Sequence, residues 1–173
     1  ASLDGLTGCL NRSALIDLLD HHVQRAHNEM RQLGFVALDL DHFKQVNDTF
    51  GHLAGDELLM TLGVELRNCV RDNDIVGRVG GDEFAVIVPD ADEDETRGVA
   101  ERVRRRLQAV GASMGVDVSL GLATLYPHDD GRDLRQRADE ALYVSKGTVT
   151  RQRLGTARLI PEERPSTQET SVY

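Results

Sequence analysis

A glycine-rich tetrapeptide enclosed by two short apolar runs dictates how the middle of this chain folds. Ile75-Val76-Gly77-Arg78-Val79 precedes Gly80-Gly81-Asp82-Glu83, and Phe84-Ala85-Val86-Ile87-Val88 follows it. Glycine supplies the positive φ angles that a tight loop needs, so this segment predicts a β-hairpin. Pro89 ends the second strand. The hairpin predicts an antiparallel sheet and places two carboxylates in its loop.

The spacing of apolar residues predicts the remaining elements. Spacings of three and four predict helices over residues 13–33, 52–70, 92–110 and 131–146. A continuous apolar run predicts a buried strand at residues 35–40, and alternation predicts another at residues 116–125. The middle of this order is β-α-β-β-α-β, the ferredoxin-like arrangement. We therefore predict an α+β fold with a four-stranded antiparallel central sheet, helices on one face, and extra N-terminal and C-terminal helices.

The charge of the chain argues against one class of partner. Lys plus Arg total 20 and Asp plus Glu total 29, which gives a net charge of −9. A nucleic-acid-binding surface needs clustered positive charge, whereas a single nucleotide needs only a local pocket. No apolar stretch approaches the roughly 20 residues of a membrane span. Cys9 and Cys69 form no disulfide framework. We expect no nucleic-acid or membrane contact from this domain, and reduced thiols.

One acidic residue is set into the predicted buried strand. A carboxylate such as Asp39 is costly there unless it is paired or bound to a metal. In the ferredoxin-like arrangement the first strand lies beside the hairpin, which lets Asp39 and Asp82 approach each other. Two like charges that close do not both ionise without a cation between them, and carboxylate oxygens suit Mg²⁺. The alternative is that Asp39 faces water and that the hairpin is a polar turn.

A second polar cluster lies between the first strand and the second helix. It consists of Asn47-Asp48, Gly51-His52 and Gly55-Asp56. Asn and Asp side chains offer donors and acceptors that match the edge of a guanine. The alternative is a loop rich in turn residues. Lys44 and Lys146 lie beside these loops, where they either offset phosphate charge or are plain surface lysines.

Five blocks of the sequence together resemble one family. Gly80-Gly81-Asp82-Glu83-Phe84 spells the signature of the GGDEF domain, the diguanylate cyclase family. Cys9 stands where that family usually has Leu. The other four blocks follow the family pattern in collinear order across about residues 1–147, at residues 4–12, 39–56, 118–123 and 138–146.

The resemblance implies an activity and an assembly. The family condenses two GTP molecules into cyclic di-GMP and releases two pyrophosphates, on a fold like the palm of nucleotide cyclases. Each domain holds one GTP, so a transient homodimer is implied. The alternative is a catalytically silent receptor for GTP or cyclic di-GMP. The presence of Asp39, Asp82 and Glu83 favours the enzyme.

The resemblance also implies a set of site residues. It implies Mg²⁺, with Mn²⁺ as the alternative ion, held by Asp39, the Leu40 carbonyl and Asp82. Asp82 and Glu83 are the implied catalytic residues. The implied substrate-binding residues contact guanine or phosphate, and they are Lys44, Asn47, Asp56 and Lys146.

A regulatory site and a departure from the pattern complete the resemblance. Arg71 and Asp74 stand upstream of the signature at the spacing of the family's product-inhibition site, and Arg102 matches the position of a second arginine there. Thr150 occupies the position where the family usually has an arginine that contacts the terminal phosphate, with Arg151 one place later. This substitution puts one phosphate contact in doubt.

Boundaries follow from composition. We assign residues 1–160 to the catalytic domain, and residues 161–173, which are rich in Pro, Glu, Ser and Thr, to a disordered tail or a linker. Because the chain begins at Ala1 without Met, we expect a fragment of a longer protein whose upstream sensor domain is missing. We expect the domain to be cytoplasmic, either free or tethered to a membrane through the missing regions.

Overall fold

The computed structural model describes residues 2–147 and the backbone of residues 154–156. Within these residues the predicted helices and strands follow in the expected order, with α2 and β5 in addition and a short 3-10 turn at Ala112–Met114. The elements are α1 (Arg12–Glu29), β1 (Leu33–Asp41), α2 (Phe43–Phe50), α3 (His52–Cys69), β2 (Ile75–Arg78), β3 (Glu83–Pro89), α4 (Glu93–Gly111), β4 (Asp117–Thr124), α5 (Gly131–Gly147) and β5 (Leu154–Thr156).

The sheet has the strand order β2-β3-β1-β4-β5. β1 lies at its centre and pairs antiparallel with both β3 and β4, while β2 and β3 form the hairpin. This arrangement confirms the predicted α+β fold with four antiparallel strands. β5 adds a parallel strand beside β4, which the sequence did not predict. The proposed tail at residues 161–173 lies outside the described residues.

The two helices of the ferredoxin-like core, α3 and α4, lie on one face of the sheet, and the extra helices α1 and α5 cover the other face. Val36, Leu38 and Leu40 of β1 pack into the core beneath α3 and α4. The alternate residues Phe35 and Ala37 pack into a second core beneath α1 and α5. This is why β1 reads as a continuous apolar run: a strand buried on both faces has no polar alternation. The terminal helices therefore form a third layer.

The polar cluster after β1 is helical, so its interpretation as a loop is wrong. α2 begins directly after His42, and Gly51, at φ 89°, separates α2 from α3. Val46 is the buried residue of this short helix. α1 also ends earlier than predicted, because Met30 adopts a left-handed conformation. None of the helices in the described part of the chain is long and apolar enough to cross a membrane.

α5 lies directly on the backbone of β4 at Gly121. A Cβ atom at this position would lie 2.2 Å from the backbone nitrogen of Leu142 and 2.3 Å from the carbonyl oxygen of Ala138. Backbone atoms on a helix cannot move aside as a flexible side chain can. Glycine at this position therefore sets how closely α5 approaches the sheet.

We expect Gly121→Ala to lower the free energy of unfolding by about 2–3 kcal/mol, because the helix must move away from the sheet. The matched control is Gly98→Ala on the exposed side of α4, where a Cβ meets nothing within 4 Å. Alanine there should stabilise the protein by about 0.5–1 kcal/mol. Urea unfolding followed by circular dichroism measures both changes. Equal effects at the two positions would contradict the close approach.

Candidate metal and nucleotide site

The candidate site lies where the central strand leaves the sheet. Asp39 lies two residues before the end of β1 and is only 7% exposed. In the strand register it stands opposite Glu83 of β3 and Ser119 of β4. The next acidic residue, Asp41, accepts a hydrogen bond from the Ser119 hydroxyl at 2.7 Å. Asp39 is thus the carboxylate that the fold buries at this end of the sheet.

The hairpin loop brings a second carboxylate beside the first. The backbone nitrogen of Leu40 donates to the carbonyl oxygen of Asp82 at 3.2 Å, which joins the loop to β1. Burial raises the pKa of Asp39, and repulsion by Asp82 raises it further. The Lys146 ammonium group donates to the Asp39 carboxylate and opposes this shift. The structure therefore brings Asp39 near Asp82, as expected, and places Lys146 against Asp39, which was not expected.

Arg78 holds the loop that carries these acids. Its Nε donates to the carbonyl oxygen of Gly80 at 3.1 Å, and its Nη2 donates to that of Gly81 at 2.8 Å. Its Nη1 forms an ion pair with Asp4 at 3.1 Å. Asp4 in turn accepts from the backbone and hydroxyl of Thr7. This role was not predicted from the sequence, although a lone arginine in an apolar run beside the loop was a visible signal.

The chemistry of the donor set fits a divalent cation. Asp39, Asp82 and the Leu40 carbonyl offer hard oxygen atoms of the kind that Mg²⁺ prefers, and such an ion leaves positions for phosphate oxygens. Residues 2–147 contain no group of three or more His, Cys, Asp or Glu side chains arranged to hold a metal. A divalent cation at this site would therefore also need the Leu40 carbonyl oxygen and oxygen atoms of the bound phosphate ligand. Glu83 stands opposite Asp39 in the strand register, and its carboxylate also raises the pKa of Asp139 on α5.

The candidate guanine-binding residues lie on the other face of the sheet. A Cβ atom at Gly55 would lie 1.9 Å from Asn47 Oδ1 and 3.3 Å from Phe43 Cζ, so α3 meets α2 closely there. Asp56 follows on α3, and the exposed Lys44 precedes Asn47 by one helical turn. Lys146, in contrast, lies on α5 across β1. A ligand that reaches all of these residues must pass around the end of β1.

The candidate inhibitory residues lie at the opposite end of the hairpin. Arg71 forms an ion pair with Asp74 at 3.0 Å and also donates to the Pro89 carbonyl oxygen at 3.1 Å. Arg102 on α4 donates to the carbonyl oxygen of Cys69 at 2.5 Å. Arg71 and Asp74 precede β2, whereas the acidic loop follows it. Thr150 and Arg151 lie outside the described residues.

The comparisons with known proteins identify the family. The family model described as "Diguanylate cyclase, GGDEF domain" matches residues 1–152. The chain therefore belongs to the GGDEF domain family of diguanylate cyclases.

Two curated relatives and one solved structure illustrate the likeness. The chain is 38% identical over 151 residues to the diguanylate cyclase DgcP of Pseudomonas aeruginosa, covering 84% of this chain and 22% of that protein. It is 36% identical over 151 residues to the cyclic di-GMP phosphodiesterase PdeR of Escherichia coli. That match covers 84% of this chain and 22% of PdeR. The GGDEF domain of DgcB from Caulobacter crescentus in complex with c-di-GMP has a TM-score of 0.82 and 32% identity, covering 91% of this chain and 96% of that domain. The chain spans about a fifth of the length of the two curated relatives.

We expect Asp39→Asn to raise the free energy of unfolding at pH 7 in metal-free buffer, because the folded state disfavours the ionised carboxylate. Where the pKa of a carboxyl group is higher in the folded protein, the protein loses stability as the pH rises from the ordinary pKa of 3.8 through the pKa in the folded state. The gain from the variant should therefore shrink as the pH falls toward 3.8.

Urea unfolding at several pH values measures this difference. The matched control is Asp48→Asn, which removes an exposed carboxylate on α2 and should change stability by less than about 0.5 kcal/mol. A variant at Asp39 that is less stable than the parent at pH 7 would contradict the inferred cost of burial.

Proposed function

We propose that this chain is the catalytic domain of a diguanylate cyclase, which condenses two GTP molecules into cyclic di-GMP and releases two pyrophosphates. One observation carries the proposal: in a GGDEF domain, Asp39 and Asp82 meet beside Lys146 at the end of the central strand. Acids at these positions make a buried site of negative charge that needs a cation. A divalent cation that binds together with GTP would supply this positive charge beside the phosphates.

Each residue has a proposed role in the reaction. Asp39, Asp82 and the Leu40 carbonyl would hold Mg²⁺, or Mn²⁺ in its place, and such an ion would supply neutralisation of phosphate charge and acidification of the attacking 3′-hydroxyl. Lys146, which donates to Asp39, would contact the phosphate oxygens of the bound nucleotide. Glu83 lies beside the loop as the acceptor for the hydroxyl proton. The 3′-oxygen then bonds to the α-phosphorus as the bond to pyrophosphate breaks.

The substrate is positioned on the other side of β1. Asn47 and Asp56 bind the guanine edge through their amide and carboxylate groups, and Lys44 contacts the phosphates. The contact between Gly55 and Asn47 supports this role, because it leaves the amide group no room to move toward α3. Such a domain works where GTP is supplied, which is the cytoplasm.

A catalytically silent receptor is the second candidate. The similarity to PdeR, a protein named as a phosphodiesterase, supports it, because GGDEF domains also occur in proteins with other named activities. The intact acids of this chain support the enzyme. Incubation with GTP and Mg²⁺, followed by chromatography of the nucleotides, separates the two candidates, since only the enzyme forms cyclic di-GMP and pyrophosphate.

We expect Asp82→Asn to reduce turnover by at least about a thousandfold, since losing a metal ligand leaves several kcal/mol of phosphate charge uncompensated. The control Asp48→Asn, an exposed acid on α2, should keep near-parental activity. Production of cyclic di-GMP from GTP measures both, and thermal unfolding verifies that both variants fold. Near-normal turnover by Asp82→Asn would refute the proposed metal site.

Product inhibition is proposed at the Arg71–Asp74 pair with Arg102. We expect Arg71→Ala to weaken cyclic di-GMP binding at least about tenfold, because a guanidinium that contacts phosphate is lost. Initial turnover should stay unchanged, since the residue lies at the far end of the hairpin. Arg105→Ala, at an exposed position on α4, is the control. Calorimetry that gives equal affinities for the parent and Arg71→Ala would rule out this site.

Assembly is proposed to limit the rate. The chain carries one set of candidate ligands, so each half of the reaction needs a second copy in a two-fold arrangement. The net charge of −9 on each copy opposes close approach. We expect turnover per molecule to rise with protein concentration, and a fused coiled coil to raise it further. A monomeric sample whose specific activity stays constant on dilution would contradict the two-copy mechanism.

A further inference from the structure

A cleft of about 370 Å³ opens between α1, α5 and the sheet. Its volume lies at the lower end of the range of about 300–1,000 Å³ that is typical of small-molecule sites. The apolar residues that line it come from both helices and from two strands, and they include Leu15, Ile16, Phe35, Ala37, Val79 and Leu142. These side chains offer no hydrogen bonds, so they suit the apolar part of a ligand.

Two arginines line the same cleft from opposite helices. Arg12 begins α1, and Arg135 lies in the second turn of α5. Within residues 2–147, no carboxylate lies within ion-pair distance of either guanidinium. The Nε atom of Arg135 is buried and has no hydrogen-bond partner there. A buried donor without a partner is costly, and an anion in the cleft would supply the missing acceptor.

The charges along the cleft are divided between its two ends. At the sheet end, Lys146 already pairs with Asp39. At the other end, Arg12 and Arg135 attract the Asp139 carboxylate from a longer range, while Glu83, which also lines the cleft, repels it. The charges of the lining therefore balance, but neither Glu83 nor Asp139 forms an ion pair with either guanidinium, so both guanidinium groups keep donors for an anion.

We propose that this cleft binds a small amphipathic monoanion, such as an aryl carboxylate or sulfonate. The apolar body lies against Phe35 and Leu142, and the anionic group accepts hydrogen bonds from Arg135 and Arg12. The volume equals that of about twelve water molecules at roughly 30 Å³ each, which accommodates one or two aromatic rings.

A bound anion would share a wall with the candidate metal site. Asp39, Glu83 and Lys146 line both. An occupied cleft therefore restricts the movement of Lys146 toward a nucleotide, which makes the anion an inhibitor of GTP binding. This consequence rests on the proposed function, whereas the binding itself does not.

The test uses 8-anilinonaphthalene-1-sulfonate, a fluorescent aryl sulfonate, titrated into the chain without nucleotide or metal. We expect saturable binding of one molecule per chain. Arg135→Gln should weaken it about tenfold, because a hydrogen bond to a charged group is lost. Ile16→Trp, which fills the cleft from α1, should weaken it as well. Arg132→Gln is the matched control, because this arginine is exposed on the same helix.

Circular dichroism and thermal unfolding establish that each variant is folded before titration. Equal affinity of the parent, Arg135→Gln and Ile16→Trp would locate the dye elsewhere and overturn the proposal. Absence of saturable binding by the folded parent would overturn it too, as would an equal loss of affinity in Arg132→Gln. Because no GTP is present, these outcomes are independent of whether the chain makes cyclic di-GMP.

Discussion

A buried carboxylate at the end of the central strand is the constraint on which the site depends. The backbone of Asp39 pairs with β3 on one side and with β4 on the other, and its carboxylate is buried between them, away from water. Asp82 adds a second negative charge that the loop fixes through the backbone of Leu40. Such a pair of carboxylates is stable only beside a cation, and the Lys146 ammonium group provides that positive charge. A metal with a nucleotide fulfils the same electrostatic requirement.

Two contacts outside the acidic pair determine this geometry. Gly121 lets α5 approach β4 closely, which brings Lys146 within reach of Asp39. Arg78 fastens the hairpin loop to the N-terminal segment through Asp4, which fixes where Asp82 lies. The position of the N-terminal segment is thereby coupled to the position of the acidic loop. The candidate site is thus a property of the packing of several elements.

The sheet divides the candidate site and the surrounding surface into two regions. Asn47 and Asp56 belong to the α2–α3 side, whereas Lys146 and the cleft with Arg135 belong to the α1–α5 side. β1 ends between them, so Asp39 is the point at which a ligand from either side meets the same carboxylate. This position explains how one strand end serves both a nucleotide and, in our proposal, a separate anion.

The sequence by itself determined the antiparallel core, the family and the identity of the acids, because turn glycines, apolar spacing and collinear motifs are local properties. It also led to the correct expectation that Asp39 and Asp82 approach each other. It did not say which face the terminal helices cover, and the interpretation of α2 as a loop was wrong, because turn-forming residues outweighed the single buried Val46. Only the tertiary structure decided the contacts of Arg78 and the cleft beside Arg135, since these join segments distant in sequence, and no local pattern encodes a distance between them.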